Sequence, residues 1–190
     1  RFTAWVVRSF SVAQTMPNTD DFKETLNHSI ATAHMAYEIA KLARVERPAM
    51  VSTVALLGDV GKSLLMLLKA SFEKMDVFFE FFDPPRIGAL LLRHWNLPEP
   101  IWQGVECQRM PEFAPPGDIP EDVRQTVLVV YLARQCDAYL KGAEEEEFAA
   151  GFCNDHIRFL KLRESTIPGI VNKHIVRTLR KQEGKRVFSA

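Results

Sequence analysis

Three side chains with ligand or acid–base chemistry, His28, Asp59 and Asp137, stand in apolar helix-like surroundings. Imidazole nitrogen and carboxylate oxygen ligate Zn, Mn, Fe or Mg, depending on geometry. Ligands projecting from separate helices into a bundle core are an established way to build such a site. Spacing alone leaves a structural use open: Asp59 could pair with Lys62 one turn later, and His28 could be a hydrogen-bonded core histidine. Other chemistries find less support. Gly58 to Lys62 lacks the spacing of a phosphate-binding glycine loop, and no serine or cysteine sits in a nucleophile elbow. Cys107, Cys136 and Cys153 are far apart and form no Cys-x-x-Cys pair, so reduced, buried thiols are expected rather than a zinc knuckle or disulfides.

The elements that must carry these residues read as helices. Phe22, Leu26, Ile30, Ala33, Tyr37 and Ala40 step three or four residues at a time. Asn18 to Asp21 supplies capping and acidic side chains before them, which predicts a helix from about Asp20 to Arg44. Pro48 suits the first turn of a second helix, bearing Val54, Leu57 and Val60 and continuing through Leu64 to Leu68. A third is predicted from Pro85 to Trp95, broken by 96–98 and resumed over Glu99 to Cys107. Met110 to Pro120 is expected as a loop, because prolines punctuate it. Further helices are predicted over Glu121 to Lys141, Glu144 to Leu162 and Pro168 to Gln182. The aromatic run 77–82 has strand-like composition, but its neighbours favour a buried helix or short connector. The fold class is therefore all-α, a helical bundle with one long proline-rich loop.

Bulk properties narrow the function classes. The 190 residues are 47% hydrophobic, so a sizeable core can form, and the formal net charge is +0. Binding to nucleic acid by counterion release needs a basic face, which that balance argues against. No uninterrupted apolar run approaches a membrane span: Val54 to Leu68 is cut by Gly58, Asp59, Gly61 and Lys62. No signal-peptide pattern precedes a cleavage site, and the start at Arg1 suggests a fragment of a longer chain. A cytoplasmic location is expected. Trp95, Leu97, Pro98, Ile101 and Trp102 are expected as a packed helix–turn–helix corner. The cluster Phe72, Phe78, Phe79, Phe81 and Phe82 is too dense to face one small core from a single helix, which leaves core and interface equally open for part of it, the interface being with a further lobe, a partner or a second copy of the chain. The basic set Lys173, Arg177, Arg180, Lys181, Lys185 and Arg186 suits a late helix turn.

The segments His28-Ser29, Ala55 to Lys62 and Val130 to Asp137 resemble the HD superfamily of metal-dependent phosphohydrolases, whose pattern is a histidine, a later His-Asp pair and a distal aspartate. Gly88 to Ile101, reading GALLLRHWNLPEPI, resembles one branch more closely, the HDOD domain (HD-related output domain). The resemblance covers about Asp20 to Leu140. It implies an HDOD-like helical domain over 20–190, with 1–19 a linker or the remnant of a preceding helical segment. It also implies a role in bacterial signalling.

Departures from the family pattern decide the expected activity. In active relatives the histidine of the His-Asp pair is a metal ligand; here that place is Gly58, which offers no donor. The histidines that serve a second metal in relatives align with Pro84, Gln108 and Arg109, and Arg109 would place a permanent cation near the metal position. His28, Asp59 and Asp137 remain as vestigial positions, with no catalytic residue, bound metal or cofactor expected. The expected role is a non-catalytic regulatory or protein-interaction module. Its partners are expected to be signalling proteins, with a nucleotide ligand and a homo-oligomer left open, and neither nucleic acid nor membrane involved. The alternative is a residual metal-dependent phosphohydrolase or phosphodiesterase, in which His28, Asp59 and Asp137 bind the metal and Lys62 steadies a phosphate.

Overall fold

The chain folds as helices joined by short turns in a computed structural model that describes residues 19–71, 76–149 and 151–176. Thr19 caps α1 (Asp20–Leu42), its hydroxyl accepting from the Phe22 amide while Asp20 and Asp21 sit in the first turn. The helix ends where Ala43 and Val45 donate back to the carbonyls of Ile39 and Ala40, with Arg44 at positive φ (57°). Proline opens both α2 (Pro48–Leu57) and α5 (Pro84–His94), its fixed φ suiting a first turn. Between them lie α3 (Val60–Ser71) and the single turn α4 (Asp76–Phe79). Then follow α6 (Glu99–Glu106), α7 (Met110–Phe113), a 3₁₀ turn (Pro116–Asp118) and α8 (Glu121–Leu140). The described part finishes with α9 (Glu145–Ala149), α10 (Cys153–Phe159), α11 (Ile167–Ile170) and a π turn (Val171–Ile175). No strand occurs among the described residues, so the all-α expectation is borne out.

α8 is the central element. Val127, Leu128, Val129, Val130, Leu132, Ala133 and Cys136 are fully buried, covering every side of the helix. α1, α2 and α6 pack around it, and α5 bridges α3 and α6. Burying an aliphatic side chain of this kind contributes about 1.5–3 kcal/mol against exposure.

Several expectations need correction. The run from Val54 to Leu68 is not one helix: it breaks at Gly58 and Asp59, where the chain turns from α2 into α3. By length and hydropathy Pro48–Ser71 would suit a membrane span, yet that turn divides it. The buried stripe of α1 is also rotated from the predicted one. Ile30 and Tyr37 are exposed (42% and 40%), whereas Thr25, Ser29, Thr32, Met35 and Ile39 face inward with Ala33 and Ala40. The proline-rich stretch holds α7 and the 3₁₀ turn rather than irregular loop alone. Glu144 to Leu162 forms two short helices, and the last predicted helix starts at Ile167 and passes into a π turn; its continuation, with Arg177 to Arg186, lies outside the described residues. In the aromatic run Phe79 is buried, but Phe81 is 84% exposed, so 80–82 is a surface connector. The Trp95–Trp102 corner is packed as expected: Leu97 and Ile101 are buried, with Trp95 and Trp102 against the core.

Gly61 shows why α3 and α5 approach so closely. A Cβ there would lie 1.9 Å from the Pro84 carbonyl oxygen and 2.6 Å from the Gly88 amide nitrogen. Only a residue without a side chain fits that crossing.

Candidate functional site

His28 on α1, Asp59 in the α2–α3 turn and Asp137 on α8 are brought together. His28 Nδ1 donates to Asp137 Oδ2 at 2.6 Å, and His28 Nε2 lies 3.9 Å from Asp59 Oδ2. His28 and Asp59 are partly buried, and Asp137 nearly fully.

Both carboxylates are already engaged by protein cations. Arg134 Nη2 donates to Asp59 Oδ1 at 3.3 Å, and Lys141 Nζ reaches Asp137 Oδ2 at 2.7 Å. Arg134 and Asp137 lie three residues apart on one face of α8, and Lys141, the residue capping its C-terminal end, follows Asp137 by four. The Ser29 hydroxyl lies 3.2 Å from Asp59 Oδ2 and 3.0 Å from the Thr25 carbonyl, and its single proton serves one acceptor at a time. Asp59 therefore does not pair with Lys62, whose side chain points to solvent.

The space beside Gly58, where the resemblance would put a histidine side chain, is filled. Gly58 has ordinary helical angles (φ −56°, ψ −37°), so its backbone does not demand glycine. The space beside it is taken by two side-chain ends: a Cβ would stand 2.6 Å from Gln108 Oε1 and 3.2 Å from Arg134 Nη2, so Gln108 would have to shift. Gln108 is 1% exposed. Its amide nitrogen donates to the Gly58 carbonyl at 2.8 Å, and its amide oxygen accepts from Arg134 Nη2 at 2.6 Å. The permanent cation beside the site is thus Arg134, not Arg109. Arg109 turns outward onto Glu112, three residues on, at 3.1 Å, a hydrogen bond that raises its pKa. Pro84 sits at the start of α5 with its carbonyl against Gly61.

The HD pattern implies a metal, and these residues do not fit one. No cluster of three or more His, Cys, Asp or Glu able to hold a metal occurs among the described residues. The Asp59 carboxylate faces a guanidinium and a hydroxyl, and His28 spends Nδ1 on Asp137. Beside the site, Asp20, Lys23, Glu24, Asn27, His28 and Lys141 help line an open groove of about 490 Å³. Arg134 and Ser29 lie within the sequence segments that drew attention to the site but had no role there. The signal for Arg134 was its place three residues before Asp137 on one helix.

Fold and site together define an all-helical domain in which side chains from three regions of the chain meet at one polar centre. A family model for the HDOD domain matches residues 3–80, which bears out the resemblance drawn from the sequence where the two overlap, over 20–80. The matched stretch contains His28, Gly58 and Asp59, while Gly88 to Ile101, Arg134 and Asp137 lie beyond it. No curated protein and no solved structure matches the chain.

Proposed function

We propose that this chain is a non-catalytic regulatory module of bacterial signal transduction that works by contact with partner proteins in the cytoplasm. The HDOD match over residues 3–80 supports a signalling output role. The observation that carries the lack of turnover is the packing at Gly58, where Gln108 and Arg134 fill the place of a histidine side chain. A hydrolytic metal needs an open position for water beside its protein ligands. Here a guanidinium stands against the carboxylate that would hold it.

Exposed apolar side chains, among them Phe81, Val77 and Phe113, support protein contact as the mode of action. The test is an assay of the purified chain on phosphodiesters, cyclic dinucleotides and nucleotides with Mn, Mg, Fe or Ni added. No turnover is expected. Turnover that disappears in D59A would end the proposal in favour of the residual metallohydrolase.

A further inference from the structure

We propose that Arg134 and Lys141 together replace the dication of an HD-type site, holding Asp59 and Asp137 by protein charge alone; this rests on the non-catalytic reading above. Asp59 and Asp137 have side chains only 18% and 6% exposed. Carboxylates that far from water need compensation. Two carboxylates side by side call for positive charge, and two cations seven residues apart supply it, Arg134 on α8 and Lys141 capping its C-terminal end. One is the Arg134 guanidinium at 3.3 Å from Asp59, the other the Lys141 ammonium at 2.7 Å from Asp137.

The replacement is a linked set rather than a single change. Arg134 Nη2 is shared between Asp59 and Gln108, and Gln108 returns its amide nitrogen to the Gly58 carbonyl. Any side chain at 58 would strike the Gln108 amide oxygen and crowd the guanidinium. Glycine at 58 thus leaves the room in which glutamine at 108 and arginine at 134 close this set. The planar, permanently charged guanidinium suits this task, since it meets two acceptors at once and cannot lose its proton. The consequence is that α1, the α2–α3 turn and α8 are tied together whatever the metal supply.

The experiment uses the full chain with Mn(II) as probe, comparing wild type, R134M, R134K, and R134M combined with D59N. Thermal midpoints are read in EDTA and in Mn(II), and bound manganese is counted after gel filtration. Wild type is expected to melt at the same temperature in both and to retain no manganese. R134M should melt about 4–8 °C lower in EDTA, as loss of a charge-assisted pair in a chain of this size predicts, and recover part of that in Mn(II). D59N should restore R134M in EDTA and abolish its response to manganese, because the uncompensated carboxylate has gone. R134K keeps the charge and should melt closer to wild type than R134M does, which supplies the comparison if R134M does not fold. Stoichiometric manganese on wild type would overturn the proposal. So would R134M as stable as wild type, or R134K as unstable as R134M. Turnover by wild type in the phosphodiester assay would instead strike the non-catalytic reading, while the charge dependence of the R134 variants would still be read separately.

Discussion

His28 Nδ1 meets Asp137 Oδ2 at 2.6 Å across 109 residues of sequence, closing α1 onto the last third of α8. Asp137 accepts at the same oxygen from Lys141, so the carboxylate keeps a partner when the imidazole is removed. A hydrogen bond to a charged group contributes about 1.5–3 kcal/mol. H28A should therefore lower unfolding stability by roughly 1–3 kcal/mol in urea titration, with unchanged m-value. In the cycle with D137A the two changes should couple by at least about 0.5 kcal/mol; strict additivity would mean the bond adds nothing.

The two glycines flanking Asp59 should respond differently to alanine. At Gly58 the obstruction is a side-chain amide oxygen, held in place by Arg134 but able to shift. At Gly61 it is the backbone of α5, at 1.9 Å and 2.6 Å, which cannot move without parting α3 from α5. Overpacking typically costs about 1–3 kcal/mol and sometimes more, while alanine recovers about 1 kcal/mol of helix propensity. G58A is expected to lose about 1 kcal/mol, and G61A to lose at least about 3 kcal/mol or fail to fold. Equal melting temperatures for the two would contradict the packing described.

What could be read from the sequence was mostly local. Proline at helix starts, acids before α1 and the apolar density of 121–140 mark elements whose causes lie within a few residues. The misplaced stripe of α1 has a tertiary cause: Ser29 bonds back to the Thr25 carbonyl and reaches Asp59, which lets small polar residues face inward where Ile30 and Tyr37 had seemed better suited. The convergence of His28, Asp59 and Asp137 was legible only through the family pattern. The clamp on Asp59 was not, because Arg134 and Asp59 are 75 positions apart and Gln108 is 26 from Arg134. Arg109 was expected beside the site, but the short path to Glu112 one turn on takes its guanidinium outward.

His156 gives a pH dependence of known sign. Its ring is fully buried, with Nε2 on the Pro111 carbonyl at 2.8 Å, Nδ1 without a partner and the Tyr131 ring edge-on at 5.2 Å. Burial lowers its pKa, and the hydrogen bond to Pro111 and the charge of Asp155 offset this only in part. The unfolded chain then binds a proton that the folded chain resists, so stability is kept above the ordinary histidine pKa of about 6.5 and lost as pH falls below it. H156Q should flatten this loss between about pH 6.5 and 5, measured as the difference between wild-type and variant urea midpoints. A parallel pH profile for the two would place the dependence elsewhere.

The three thiols should separate by reactivity. Thiolate is the reacting species, and burial raises the pKa of each cysteine; for Cys153 it reaches about 11. For Cys107 the charge of Glu106 adds to burial, but its side chain is only partly covered. Cys136 is 0% and Cys153 1% exposed. Under native conditions at pH 8, iodoacetamide should modify Cys107 first. Cys136 and Cys153 should label at least about 100-fold more slowly, at a rate set by opening of the fold. Peptide mass spectrometry over a time course reads the order directly, and adding urea below the midpoint should speed Cys136 and Cys153 together, since both pack in the core formed around α8. Early labelling of Cys136 would show that α8 is not the buried centre of the bundle.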